Sequence, residues 1–423
     1  MRIGWFSQAL PYLPSRGGFR LYGANLIRKL SQRHEIHLVA FLQDDDEAHL
    51  DWARQHCATV RVVPARRHGV PARLANFVYG YAKGRTLHQR TEVEHLLRDG
   101  LQRHAWDVLH IEAAEGWVPP NFPVPKVLSL HDSWTLRCRE MRACSPRISE
   151  RLYYALLELR ELRTERLLYP QFERCVVVAE RDAAEVRRVA PAAEVVVIPY
   201  GTDTEYFHPV TSEKEAAVLV FHAHLGYAPN IAAALEFAND IFPRIRSEIP
   251  DVVFHMIGAD PAPEVRALAA RPGIKLSENL PDLRGAVSSG TVYVCAIRHG
   301  TGLKSKVLEA MAMRLPIVAY HPGSTVGIDC AHGQHLMAAT TPEEFAAHVV
   351  DLLRHPAKAE QLARAARALA EEKYSWESRA HGYEQLYAAV IAQRKVAVGP
   401  DAVATAGRRS RKRLDSAVAR RSV

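Results

Sequence analysis

The stretch TVYVCAIRHGTGLKSKVLEAMAMR (Thr291–Arg314) decides the fold of this chain. Its first seven residues, Thr291–Ile297, are apolar and rich in β-branched side chains, which is typical of a buried parallel strand. Gly300 and Gly302 then allow a tight turn, and the residues from Lys304 onward favour a helix. The order of strand, glycine loop and helix predicts one repeat of a parallel α/β sheet.

The start of the predicted helix suits an anionic ligand. The first N–H groups of a helix lack partners within it, and the helix dipole favours negative charge there. Lys304 and Lys306 place positive charge in the first turn, which an anionic ligand would explain. Glu309 follows one to two turns later, where it could accept hydrogen bonds from sugar hydroxyls. A plain βα crossover with two solvated lysines and a surface glutamate also fits these residues.

The stretch GTGLKSKVLEAMAMRLPIVAY resembles the nucleotide-sugar motif of the GT-B retaining glycosyltransferases of family 4, in the exopolysaccharide (PEP-CTERM-associated) subgroup. The resemblance implies that Glu309 binds the donor ribose. It also implies that Gly302, Lys304 and Lys306 surround the donor diphosphate. Further donor-binding residues are expected at Gly300, Thr301, Leu303 and His224. Many members carry a sugar-contacting Glu eight residues before the ribose Glu, and Thr301 stands there in this chain. The identity of the donor sugar therefore stays open.

Length and composition predict a soluble protein of two domains. The chain has 423 residues, of which 48% are apolar and 24% charged. No apolar run approaches the ~20 residues that span a bilayer, and the N-terminal residues do not resemble a secretory signal. The cysteines show no CxxC pair and no metal-ligand spacing, and Cys175 and Cys295 lie in strand patterns as buried thiols. We expect a cytoplasmic protein without a bound metal.

The net charge of +8 is concentrated in one segment. Residues 394–423 contain nine basic and two acidic side chains, which gives this segment a charge of +7. The preceding body is therefore close to neutral, which argues against a nucleic-acid partner. The tail lacks periodicity and is predicted to be disordered, either as a solubilising tail or as an attachment to anionic lipid.

The first half opens as a doubly wound sheet. Its order is strand (Arg2–Ser7), glycine loop, helix (Phe19–Arg33) and strand (Glu35–Leu42). Gly17 and Gly18 resemble the family's acceptor-side loop, although a tight βα turn explains them equally well.

His131 follows a predicted strand, Val127–Leu130, and matches the family's inter-domain histidine near the point of sugar transfer. The resemblance implies His131, Lys306 and Glu309 as catalytic residues. For Asp132 two roles stay open, which are capping the next helix and orienting the imidazole.

Two regions rich in arginine and aromatic residues, Arg66–Arg85 and Arg137–Tyr169, raise the question of membrane contact. Basic amphipathic segments suit an anionic membrane surface, which would make the protein peripheral on the inner face of the plasma membrane. The second region contains a long helix pattern and many glutamates, and these favour an ordinary solvated helix face.

The stretch IPYGTDTEYFHP (Ile198–Pro209) resembles the family's interdomain signature. It predicts an acceptor-binding domain at 1–200, a nucleotide-sugar domain at 201–375, a crossover helix at 376–393 and the basic tail at 394–423. In the turn HAHLGYAPN, His224 lies near the place where many members hold a phosphate-binding Arg. Asn230, in the same turn, is expected to cap the helix that follows.

These observations predict a GT-B fold, with two Rossmann-like parallel-sheet domains facing a cleft and a C-terminal helix crossing back to the first domain. The resemblance implies retaining transfer of a sugar from a nucleoside diphosphate sugar, a substrate rather than a cofactor, to a saccharide or lipid-linked saccharide acceptor. Other possibilities are a nucleotide-sugar epimerase, a nucleotide-sugar-binding protein without transfer, and a nucleic-acid binder that relies on the tail.

Overall fold

The computed structural model describes residues 1–14, 18–43, 46–65, 89–112, 122–145, 147–210, 217–298 and 303–396. The chain divides into two compact units. The first comprises Met1–Val177, Arg181–Val197 and the chain from Ala380 onward, and the second comprises Val178–Glu180 and Ile198–Arg379. Each unit holds a parallel sheet with helices, so the predicted class of two α/β domains is confirmed.

Within the described residues, the first unit contains a seven-stranded parallel sheet in the order β3-β2-β1-β4-β5-β6-β7. Its strands are β1 (Arg2–Ser7), β2 (Glu35–Leu42), β3 (Thr59–Pro64), β4 (Val108–Glu112), β5 (Lys126–His131), β6 (Arg174–Val177) and β7 (Val195–Val197). The central strands are almost wholly buried, as their continuous apolar runs predicted. The direction of strand order reverses between β1 and β4, and in such sheets ligands bind at the carboxyl ends of strands at this point.

The helices of this half connect successive strands. They are α1 (Gly18–Leu30), α2 (Leu50–His56), α3 (Arg90–His104), α4 (Trp134–Cys144), α5 (Ile148–Leu168) and α6 (Glu180–Val189). In α1 the predicted apolar side is buried at Ala24, Leu26, Ile27 and Leu30. The helix ends three residues before the predicted Arg33, because Ser31–Arg33 form a turn into β2.

Within the described residues, the second unit contains a six-stranded parallel sheet in the order β10-β9-β8-β11-β12-β13. Its strands are β8 (Val218–His224), β9 (Val253–Ala259), β10 (Ile274–Glu278), β11 (Val292–Cys295), β12 (Ile317–Tyr320) and β13 (Met337–Ala339). The strand order reverses between β8 and β11. The predicted strand Thr291–Ile297 is thus a central strand of this sheet, and Cys295 is fully buried in it.

The helices of the second unit are α7 (Ala228–Glu236), α8 (Phe242–Glu248), α9 (Pro263–Leu268), α10 (Arg284–Ser288), α11 (Ser305–Ala312), α12 (Pro342–Arg354) and α13 (Pro356–Tyr374). The prediction of one helix over Ile231–Arg246 is wrong in part. A π-helical turn, Phe237–Ile241, separates α7 from α8, and Pro243 lies in the first turn of α8. Proline has no N–H to donate, so it is tolerated where a helix begins.

A last helix, α14 (376–396), carries the chain from the second unit back into the first, as the fold class predicted. In the first unit its tyrosines enter a buried hydrogen-bond network. The Tyr383 hydroxyl lies 2.8 Å from that of Tyr22 and 3.1 Å from Ser129 Oγ, and the Tyr387 hydroxyl lies 2.7 Å from His110 Nδ1. Burial of these polar groups favours one placement of the helix, since each would otherwise be left unpaired.

Candidate functional site

In the second unit, a carboxylate and a histidine meet at the point where the strand order reverses. Glu309 is the fifth residue of α11, the helix that follows β11, and His222 lies near the end of the adjacent β8. His222 Nε2 lies 2.7 Å from Glu309 Oε2. The His222 side chain is 4% exposed and that of Glu309 is 20% exposed, so the carboxylate is the member of the pair that solvent can reach.

Glu309 is held in its ionised form. Burial opposes ionisation, but the hydrogen bond and charge of His222, the charge of Lys306 and a hydrogen bond from Ser305 outweigh it. The pKa of Glu309 therefore lies below its ordinary value. An ionised carboxylate accepts hydrogen bonds and does not donate them. Glu309 is therefore suited to accept hydrogen bonds from the hydroxyl groups of a ligand.

His222 is a residue of the candidate site that the sequence analysis missed. The sequence placed it only in a predicted strand, and the available signal was a polar residue at the end of a buried apolar run. Its ring packs edge-on against Tyr293 of β11 at 5.3 Å between centroids. Among the described residues, the buried Nδ1 atom of His222 has no hydrogen-bond partner. The imidazole is therefore positioned mainly by Glu309 and by packing.

The lysines of the motif lie at the start of α11. Lys304 is the N-cap residue and is 8% exposed, and Lys306 is half-buried one turn before Glu309. Leu303 is half-buried. Gly300, Thr301 and Gly302 lie outside the described residues. Positive charge and the start of a helix therefore occur together, as the motif predicted, and the predicted start of the helix at about Lys304 is correct to one residue.

The turn after β8 differs from the prediction in one respect. Tyr227, not Asn230, is the N-cap residue of α7, and Asn230 lies within the first turn of that helix. The Asn230 side-chain amide donates to the carbonyl oxygen of His224 at 2.8 Å, so it fixes the turn rather than capping the helix. The His224 side chain is 55% exposed, and its Nε2 lies 3.3 Å from Asp260 Oδ2.

In the first unit, His131 lies beside a buried carboxylate, which the sequence analysis did not identify. Glu112 ends β4 and is fully buried, and its Oε1 lies 3.4 Å from His131 Nε2. Glu112 Oε2 accepts the indole N–H of Trp5 at 3.4 Å. A side chain at Gly23 of α1 would enter this space, because its Cβ would lie 2.2 Å from Glu112 Oε2. The absence of a side chain at Gly23 therefore makes room for the carboxylate.

The backbone at His131 is unusual. Its φ is +64°, and the register of β5 on β6 shifts between Ser129 and His131. Such a conformation costs about 1–3 kcal/mol in a residue other than glycine, and it is common at functional sites. The imidazole packs edge-on against Tyr22 at 4.4 Å and lies 5.2 Å from the Phe19 ring.

The two roles considered for Asp132 do not hold. Ser133 is the N-cap of α4, and its hydroxyl accepts the N–H of Leu136. The carboxylate beside the imidazole of His131 is that of Glu112. The Oδ2 atom of Asp132 lies 3.9 Å from a guanidinium nitrogen of Arg137 instead. Of the acceptor-side glycines, Gly18 begins α1 and Gly17 lies outside the described residues.

The described residues contain no group of three or more His, Cys, Asp or Glu side chains that could hold a metal ion. None of the helices they form has the length and apolarity needed to cross a membrane.

Two family models match the chain, and they divide it near the boundary between the two units. Residues 16–206 match the model described as Glycosyltransferase Family 4. Residues 216–355 match the model described as Glycosyl transferases group 1. No curated protein is significantly similar to the chain.

Solved structures share the fold over nearly the whole chain. Sucrose-phosphate synthase from Thermosynechococcus elongatus has a TM-score of 0.66 at 17% identity, and the match covers 93% of this chain and 99% of that one. Anabaena Alr3699/HepE in complex with UDP has a TM-score of 0.62 at 14% identity, with 92% and 100% covered. A glycosyltransferase from Rickettsia africae has a TM-score of 0.62 at 12% identity, with 92% and 98% covered.

The two parallel sheets and these neighbours define a protein of the GT-B fold. Because each half of the chain matches a glycosyltransferase family model, the chain has the two domains of a GT-B glycosyltransferase.

Proposed function

We propose that the protein is a retaining, hexosyl-type glycosyltransferase that uses a nucleoside diphosphate sugar as donor. The observation that carries the proposal is the pair of Glu309 and His222 beside Lys306, at the start of α11 and at the carboxyl end of β8. An ionised carboxylate suits ribose hydroxyls, and helix N–H groups with lysine ammonium groups suit a diphosphate.

The leaving group decides the chemistry that the site must supply. When the bond between the anomeric carbon and the diphosphate breaks, negative charge develops on the departing phosphate oxygens. Lys304, Lys306 and the first N–H groups of α11 are the groups of this chain that would stabilise that charge. Preorganised donors of this kind are worth several kcal/mol in enzyme sites, about 3–4 kcal/mol for one donor. We propose that this charge stabilisation needs no bound metal.

The structural neighbours suggest which donors to test first. Crystal structures of Anabaena Alr3699/HepE contain UDP, UDP with glucose, and UDP-glucose. UDP and UDP-glucose are therefore the first probes for this chain, with GDP and ADP as competing bases.

We further propose a saccharide acceptor, lipid-linked, in the synthesis of an exopolysaccharide or another surface glycan. This part rests on the resemblance of the motif and on His131, which we assign to the transfer step. Glu112 lies within 3.4 Å of that imidazole and would hold its orientation. His131 and Glu112 are expected to affect transfer and not donor binding.

The test is a thermal-shift panel with UDP, GDP, ADP and UDP-glucose. Binding to the folded state stabilises it, by about 2.7 kcal/mol at a ligand concentration of 100 Kd. We expect one base to give the largest shift. Glu309→Ala should weaken that binding about tenfold to hundredfold, because a hydrogen bond to a charged group contributes roughly 1.5–3 kcal/mol.

Two further variants distinguish a loss of nucleotide binding from a loss of folding and from a loss of sugar transfer. Glu309→Gln keeps an oxygen that can accept from His222, so it serves if Glu309→Ala does not fold. His131→Ala should bind the nucleotide as the wild type does and lose transfer, and NMR of the product should show a retained anomeric configuration. Equal nucleotide affinity in the wild type and both Glu309 variants would refute the ribose assignment. Binding without transfer to any saccharide would favour a nucleotide-sugar-binding protein.

A further inference from the structure

Helix α5 shows its apolar side chains to solvent. Four aliphatic residues of this helix expose 45–83% of their surface: Ile148, Leu152, Leu156 and Leu159. At about 100° per residue, these four positions fall within an arc of roughly 80°. With Tyr153, which is 56% exposed, they form what we call the apolar face: Ile148, Leu152, Tyr153, Leu156 and Leu159. Exposed apolar surface of this continuity marks interaction sites.

Three of the four glutamates of α5 face the interior of the first unit. Glu158, Glu161 and Glu165 lie on the opposite side of α5, and their side chains are 12%, 2% and 0% exposed. Glu158 accepts from Arg139 at 3.0 Å, and Glu161 accepts from Arg160 at 2.6 Å. An ordinary surface helix has the reverse arrangement. The glutamates that favoured an ordinary solvated helix face are therefore mostly buried, and the exposed side of α5 is apolar instead.

Arginines lie at both ends of the apolar face. Arg163 and Arg166 are exposed and continue along the same side of α5. Arg147 lies at the start of the helix, with a side chain that is 78% exposed. Glu150, whose side chain is 40% exposed, lies 3.6 Å from Arg147. Because the other glutamates of α4 and α5 are less exposed, the charge around the face is predominantly positive.

We propose that the apolar face docks on a bilayer surface that contains anionic lipids. Aliphatic side chains on one side of a helix enter the boundary between headgroups and acyl chains, and Tyr153 suits that boundary because one end of its ring is polar. The guanidinium groups at the ends of the face contact lipid phosphates. Each basic residue near such a surface strengthens the electrostatic attraction to it, as in polybasic segments. The other segments considered for membrane contact, Arg66–Arg85 and the tail beyond residue 396, lie outside the described residues.

Charge favours an anionic lipid surface over two other possible partners of the apolar face, which are a second copy of the chain and the chain's own tail. In a symmetric dimer through this face, the same patch would meet itself, so arginines would oppose arginines. The chain's own tail carries nine basic residues and would be repelled for the same reason. An anionic lipid surface satisfies both the apolar and the cationic parts of the face.

The test is flotation of the full chain with vesicles of phosphatidylcholine and phosphatidylglycerol, and with vesicles of phosphatidylcholine alone. We expect wild-type protein to float with the anionic vesicles, less so as salt is raised. Leu152→Gln/Leu156→Gln keeps good helix formers and removes two exposed leucines, and it should lower the partition coefficient about tenfold or more. Arg147→Gln/Arg163→Gln should weaken binding and reduce its dependence on salt.

The matched control, Leu280→Gln, removes an apolar side chain outside the face that is 40% exposed. It should float as the wild type does. Unchanged flotation of the Leu152/Leu156 variant, or a greater loss in the control, would overturn the proposal. So would a wild-type dimer in sedimentation that this variant abolishes. Neither vesicle binding nor its loss depends on the nucleotide site, and the thermal shift with nucleotide should be equal in all these variants.

Discussion

Glu309 illustrates how one residue acquires its properties from a distant part of the chain. The motif identified it as a ligand-binding carboxylate, but its ionisation depends on His222, which lies 87 positions earlier. The two residues meet because β8 and β11 are neighbours in the sheet although they are far apart in sequence. Local patterns contain no information about such a pair.

We predict that His222→Phe makes nucleotide binding sensitive to pH. In the wild type, the lowered pKa keeps Glu309 ionised, so affinity should stay constant from pH 8 to pH 5.5. Phenylalanine fills the buried space but offers no N–H, so burial then raises the pKa of Glu309 and the carboxylate gains a proton as pH falls. We expect the nucleotide affinity of the variant, measured by calorimetry, to fall by about tenfold for each pH unit below the raised pKa of Glu309.

The control for this experiment is His255→Phe. His255 lies on the neighbouring strand β9, and its Nε2 lies 2.8 Å from Ser277 Oγ rather than from a carboxylate of the site. Its affinity should be independent of pH, as in the wild type. An identical pH profile for the two variants would contradict the role assigned to His222.

At the scale of elements, α5 shows that a helical pattern does not reveal which side of the helix faces inward. The leucine spacing predicted the helix correctly, and the structure exposes much of that leucine stripe. The inner side is polar because it meets the start of α4. Glu165 accepts the N–H of Thr135 at 3.0 Å and the hydroxyl of Ser133 at 3.1 Å, which satisfies donors that a helix start leaves unpaired.

We predict that Glu165→Gln stabilises the protein at pH 8 and has little effect at pH 5. Burial raises the pKa of Glu165 to about 7, although the bonds from Thr135 and Ser133 oppose the shift. In the unfolded chain the carboxyl ionises near its ordinary value, so the free energy of unfolding falls as pH rises from about 4.5 to 7. Glutamine removes that loss. We expect a stabilisation of about 3 kcal/mol at pH 8, measured by chemical denaturation.

Glu150→Gln is the matched control for this prediction. The Glu150 side chain lies on the same helix and is 40% exposed. Its replacement should change stability by less than about 0.5 kcal/mol at either pH, as expected for a surface position. A stabilisation by Glu165→Gln that is the same at pH 5 and pH 8 would show that ionisation is not its cause.

At the scale of the whole molecule, the chain enters the second unit at Ile198 and returns to the first at Ala380. Residues from both passages meet inside the second unit. The N–H of Thr202 donates to the Tyr374 carbonyl at 2.6 Å, and Gly201 lies against the buried indole of Trp376. The absence of a side chain at Gly201 thus permits this close packing.

We predict that Gly201→Ala destabilises the second unit by about 1–3 kcal/mol, the usual cost of overpacking. A Cβ at this position would lie 2.7 Å from Trp376 Cδ2, and a buried indole cannot move aside easily. Thermal unfolding should show a lower Tm. Gly285→Ala is the control, because a Cβ at Gly285 has nothing within 4 Å and lies in α10, where alanine favours the helix. Equal Tm values for the two variants would contradict this account.

The sequence by itself determined the two parallel sheets, most strand positions and the start of α11. These features follow from local patterns, namely apolar runs of strand length, glycines at turns and helix-forming residues after them. Glu309, Lys304, Lys306 and His131 could be selected in the same way, because each lies at the end of a strand or in the first turns of a helix.

Only the tertiary structure decided what these residues contact. It paired Glu309 with His222 and His131 with Glu112, it assigned the cap of α4 to Ser133 and that of α7 to Tyr227, and it exposed the leucines of α5. The physical reason is that pairing, burial and the shift of a pKa depend on distances in space, and sheet order brings together residues that no sequence period connects.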